Sequence, residues 1–120
     1  MDKTSQRSVF VIGDGISIDY EPYLKELLAG IMNFDRKGGI EEARKNLDNP
    51  IGANGGDSSM VLSYLLDQNR SGVKYDILMI NCGLHDIKTD PVTNEKQVDI
   101  VSYRKNLTDI ITLAKKWQMK

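Results

Sequence analysis

The sequence predicts an α/β fold with a parallel sheet, and three observations predict it. Two short apolar runs, Ser8-Val9-Phe10-Val11-Ile12 and the stretch from Tyr75 through Ile77, Leu78 and Met79 to Ile80, read as strands. Near-continuous runs of this kind suit strands covered on both faces, as in a parallel sheet. Each run ends in a glycine-bearing turn, Gly13-Asp14-Gly15 and Cys82-Gly83. Stretches with apolar residues at helical spacing alternate with the strands, the order that builds parallel sheets.

The first strand is expected over Ser8–Ile12, after a disordered lead-in of residues 1–7. Its helix is expected to begin near Asp19 as N-cap, with Glu21 and Pro22 in the first turn. Tyr23, Leu24, Leu27, Leu28 and Ile31 would form its buried face. Asn33 to Arg36 suits a short strand, and Ile40, Ala43 and Leu47 suit a short helix after Gly38-Gly39. Pro50 to Gly56, with one proline and three glycines, reads as a loop. Asp57 or Ser58 then caps a helix carrying Met60, Val61, Leu62, Leu65 and Leu66, ending near Ser71-Gly72. The second clear strand spans Lys74 to Asn81. A polar loop from Lys88 to Lys96 leads to a last helix over about Val98 to Trp117, with Tyr103, Leu107, Ile110, Ile111, Ala114 and Trp117 on its apolar face.

Composition bounds what such a domain does. The chain has 120 residues, 40% hydrophobic and 28% charged, which fits one globular domain over residues 8–120. Sixteen basic residues against seventeen acidic ones leave a net charge of −1. A basic excess is missing, so neither nucleic acid nor an anionic membrane is an expected partner. No apolar run approaches the roughly 20 residues of a membrane span, and residues 1–8 lack the apolar stretch of a secretory signal. The expected address is cytoplasmic. Cys82 and His85 are each the sole residue of their type, too few for a disulfide or a zinc site.

The order of elements leaves the second clear strand at an edge of a small sheet, and bare apolar edges are normally covered. Either another chain covers it, for instance in a homodimer through that strand, or the natural sequence continues beyond Lys120. In open α/β sheets ligands gather outside the carboxyl ends of the strands. Three segments converge there: Gly13 to Ser17, Gly52 to Ser59, and Asn81 to Asp86.

Gly13-Asp14-Gly15-Ile16-Ser17 after a strand, Gly55-Gly56-Asp57-Ser58 before a helix, and Gly83-Leu84-His85-Asp86 after the next strand resemble, in this order, the first three motif blocks of the GDSL, or SGNH, hydrolases. The likeness runs from about Val9 to Trp117. It implies a flavodoxin-like, three-layer α/β fold with helices on both faces of the sheet, here incomplete after about three strands. It also implies ester hydrolysis through a serine acyl-enzyme, on acyl, lipid or carbohydrate esters, without metal or cofactor. By position, the nucleophilic serine of the family corresponds to Gly15. The oxyanion donors correspond to the N–H of Gly15, the N–H of Gly56 and, in place of an asparagine, His85. Asp14 and Asp86 would stabilise the turns. The family's later Asp-x-x-His motif has no counterpart in this chain.

Acyl transfer needs an activated nucleophile, a base and oxyanion donors. Only the donors survive here, so the chain alone is expected to be catalytically inactive while still binding a small ester or acyl ligand. Other readings weigh less. Ser17 as a displaced nucleophile is two residues too far along the turn. Cys82 with His85 suggests a thiolate pair, but a cysteine ending a buried strand is more often an apolar filler. Asp14 and Asp86 as metal ligands compete with the usual capping role of aspartates in turns. A nucleotide-binding module would use Gly13-x-Gly15 and Asp35 as the ribose acid, yet Ile18 stands where the third glycine is needed.

Overall fold

The computed structural model describes residues 7–47, 49–70 and 75–117. The expected lead-in apart from Arg7, the helix end at Ser71-Gly72, the strand start at Lys74 and the Trp117 side chain lie outside what is described. The elements are β1 (Ser8–Gly13), α1 (Gly15–Leu28), β2 (Asn33–Arg36), α2 (Ile40–Lys45), α3 (Ser58–Arg70), β3 (Ile77–Asn81) and α4 (Ile100–Trp117). The protein is α/β, with a three-stranded parallel sheet in the order β2-β1-β3. Val9 pairs with Phe34 on one side and Ile77 on the other; Phe10 pairs with Asp35 and Leu78.

The central position of β1 explains its uninterrupted apolar run, since Val9, Phe10, Val11 and Ile12 are all buried. Alternation along a strand sends Phe10 and Ile12 to one face and Val9 and Val11 to the other. Phe10 and Ile12 join Val61 and Leu65 of α3 and Ile110 and Leu113 of α4 in the main core, with Leu78 and Ile80 packed against it. On the opposite side α1 lies against β1 and β2. A smaller cluster there joins Ile18 to Ala43 and Ala53, with Ile40 and Leu47 beside it.

Several elements depart from expectation. Helix α1 begins at Gly15, not near Asp19, because Asp14 is the N-cap and its Oδ1 accepts from Ile16 N at 3.0 Å. Pro22 consequently sits inside the helix, where it removes one intrahelical donor. The buried face of α1 is Ser17, Ile18 and Glu21, whereas Tyr23, Leu27 and the following Ile31 are exposed. On that face Glu21 pairs with Arg36 of β2, and Ile18 packs with Ala43 and Ala53. Strand β3 is at the edge and is covered on one face only, leaving Ile77 and Met79 on the other face exposed. Met60 and Leu66 of α3 and Ile111 of α4 are also exposed. Asp57 is the residue that caps α3, its Oδ1 accepting from Met60 N at 3.0 Å. The polar loop is pinned by an isolated antiparallel bridge between Thr89 and Lys96. Among the described residues no helix is long and apolar enough to cross a membrane.

Candidate functional site

The carboxyl ends of β1 and β3 and the start of α3 are laced together by short polar contacts. Gly55 N donates to Gly13 O at 2.7 Å, and Asn54 bridges to Gly13. Asn81 Nδ2 donates to Asp14 Oδ1 at 2.8 Å, which ties the end of β3 to the first turn of α1. Asp86 is buried, and its carboxylate accepts from Ser58 N at 2.9 and 3.0 Å and from Ser58 Oγ at 2.5 Å. Asn106 Nδ2 of α4 donates to the same hydroxyl at 2.9 Å. The aspartates thus hold backbone N–H groups and side-chain donors of the protein itself. Among the described residues no three of His, Cys, Asp and Glu are grouped so as to hold a metal ion.

Gly15 and His85 line one cleft of about 560 Å³ together with Asp14, Asp19, Leu47 and Lys88. Gly15 opens α1, so its N–H has no acceptor within its own helix. A Cβ at this position would meet Leu47 O at 2.7 Å and Leu47 Cβ at 3.0 Å. The place where the family's serine side chain would begin is therefore filled by the chain after α2. Gly56 is placed differently. Its N–H donates to Asn54 Oδ1 at 2.9 Å, and it is not among the residues lining the cleft. Its φ of +74° favours glycine, and a Cβ there would meet Met60 Sδ and Pro50 Cβ. Of the three donor positions, the structure brings two to one cleft and engages the third elsewhere.

The alternative candidates are also engaged. Ser17 is fully buried, and its Oγ donates to Asp14 O at 2.7 Å and accepts from Arg36 Nη2 at 3.1 Å. Asp35, the supposed ribose acid, accepts from Tyr75 Oη at 2.9 Å. Cys82 packs against the main core, and burial, reinforced by the negative charges of Asp86, Asp14 and Asp57, pushes its thiol up to about 11. Alkylation of Cys82 by iodoacetamide at pH 8 is expected to run about 10- to 100-fold slower than for an unperturbed thiol and to climb through pH 10. Mass spectrometry of timed aliquots measures this. Rapid labelling with an inflection near neutral pH would restore the thiolate pair with His85.

A second, larger cleft of about 870 Å³ lies on the other side of Leu84 and Ile87, which line both. Val98, Ile100 and Tyr103 supply much of its wall, and Tyr103 Oη lies 3.4 Å from Cys82 O as a donor. Sequence reasoning missed this groove, as it missed Asn54 and Leu47. An asparagine just before Gly55-Gly56 was the available signal, because Asn side chains commonly accept from the backbone two residues on. Compared with family models, curated proteins and solved structures, the chain matches none.

Proposed function

We propose that this chain is a GDSL/SGNH-type domain, flavodoxin-like and three-layered, that binds a small ester or acyl ligand without hydrolysing it. The observation that carries the reading is that Gly15 and His85 line one cleft, beside a larger apolar groove. The amide and the imidazole supply donors to a carbonyl oxygen, and the groove past Leu84 receives an apolar chain. Asp14 and Asp19 against the single ammonium of Lys88 disfavour a free carboxylate, so the ligand is an uncharged ester or thioester carbonyl. Turnover is not expected: position 15 has no side chain, and the only histidine sits where a donor belongs.

Titration of the isotopically labelled chain with methyl octanoate, followed by amide NMR, tests this. Resonances of Gly15, Leu84 and His85 should move together and saturate, while release of methanol stays at the buffer rate. Gly15→Ser should not create an esterase, because its Cβ meets the Leu47 carbonyl and the one imidazole among the described residues, His85, is the proposed carbonyl donor. Saturable hydrolysis by the unaltered chain, or a titration that moves none of these resonances, overturns the proposal.

A further inference from the structure

Helix α1 carries an exposed apolar stripe that the other described residues leave uncovered. Ile16, Tyr20, Tyr23 and Leu27 are spaced by four, three and four residues, the heptad spacing of a helix–helix seam. Ile16 is 51% exposed, Tyr23 70% and Leu27 72%. The stripe lies on the β3 side of the helix, as Tyr20 Oη shows by reaching to 3.5 Å from Asn81 Oδ1. Glu21 and Lys25 mark the other side, facing Arg36 and Phe34 of β2. Below the stripe, Ile77 and Met79 of β3 are each 42% exposed, on the face that α1 covers over β1 and β2.

These surfaces form a step, with the sheet as tread and the helix flank as riser. Strands lie about 4.8 Å apart and packed helices 8–10 Å apart, so a helix packed beside α1 would sit above β3. The exposed apolar side chains amount to on the order of 600 Å², at the top of what a typical monomer leaves bare and close to the roughly 800 Å² per partner of a stable interface. No charged side chain falls on the seam positions themselves.

We infer that this step is filled by a second copy of the same chain, each copy laying its α1 over the other's β3. A two-fold axis parallel to the strands and midway between the helices sets like seam positions opposite one another. It also places the α1 pair at normal packing distance between two sheets. Simple edge pairing of β3 with β3 does less. It would join the sheets but hold the two helices about 20 Å apart, leaving the stripe and Ile77 and Met79 in water. The self-complementary face, not the strand edge, is the interface.

Sedimentation velocity of the full chain between about 5 and 200 μM should show a monomer–dimer equilibrium with a micromolar Kd. Tyr23→Lys with Leu27→Lys should weaken it at least about 50-fold. Because both residues are exposed, the melting temperature of the monomer should be unchanged. Cysteine placement separates the two geometries in a Cys82→Ser background. Tyr23→Cys should oxidise to a disulfide-linked dimer, while Met79→Cys and Glu26→Cys should not. A chain that stays monomeric at 200 μM, a dimer that survives the double lysine variant, or cross-linking through Met79→Cys overturns the inference.

Discussion

Arg36→Ala is expected to cost the fold about 3–5 kcal/mol, as loss of one partner of a buried ion pair does. Arg36 Nε lies 3.5 Å from Glu21 Oε1, and both side chains are only 7% exposed. The same guanidinium donates to Ala53 O at 2.7 Å, to Ser17 O at 3.3 Å and to Ser17 Oγ at 3.1 Å. One side chain therefore joins β2, α1 and the loop that precedes α3. Truncating it strands the Glu21 carboxylate and two carbonyls away from water. Burial pulls the Arg36 guanidinium below its ordinary value and the neighbouring Glu21 opposes this, but arginine keeps its charge at any accessible pH.

In a domain of this length the loss corresponds to a drop of about 10–20 °C in melting temperature. Arg36→Met combined with Glu21→Leu should recover most of it, because a buried pair replaced by apolar side chains of similar volume is often neutral. Urea denaturation of the single and double variants measures both. A single-variant cost below about 1 kcal/mol would mean that the pair is as weak as a surface one.

The pair also shows where sequence reasoning stops. Strand β1 was legible because its central place demands an unbroken apolar run, and Gly13-Asp14-Gly15 marked its end. The parallel order of strands followed from their alternation with helices. The orientation of α1 was not legible: its hydrophobic periodicity pointed to Tyr23 and Leu27, yet the side that is buried carries Ser17, Ile18 and the Glu21 carboxylate paired with Arg36. Periodicity reports where apolar residues are, and cannot say whether the chain itself or a partner covers them. At the site, the long-range hydrogen bonds, such as Asn81 to Asp14 and Ser58 to Asp86, are set by register between distant segments. The bond from Gly56 N–H to Asn54 spans only two residues and has a local signal, but that Leu47 closes over Gly15 depends on how the chain after α2 folds back. Nothing in the local spacing encodes that return.

The second large effect is expected at Asp86. Asp86→Ala should destabilise the protein by about 3–4 kcal/mol, because hydrogen bonds to a charged acceptor contribute about 1.5–3 kcal/mol each and their buried donors would be left unpaired. The donors are the N–H and hydroxyl of Ser58, the first residue of α3, and Ser58 is fully buried. The carboxylate also lies at the N-terminal end of α3, where a negative charge is favoured by the helix dipole. Asp86→Asn keeps the volume and one acceptor, so it should cost less than half as much. Asn106→Ala, which removes only the outer donor to Ser58 Oγ, should cost about 1 kcal/mol. A measurable cost for Asn at position 86, read by urea denaturation, distinguishes a hydrogen-bonded anchor from mere cavity filling, which would make Asn and Asp alike. The same anchor joins the segment carrying His85 to α3. In the folded fraction of Asp86→Ala, His85 should therefore shift in the cleft that it lines with Gly15. The response of the Gly15 amide to methyl octanoate should weaken even at temperatures where the variant remains folded. A full response in a destabilised Asp86→Ala would show that the cleft is held by β3 and α1 alone.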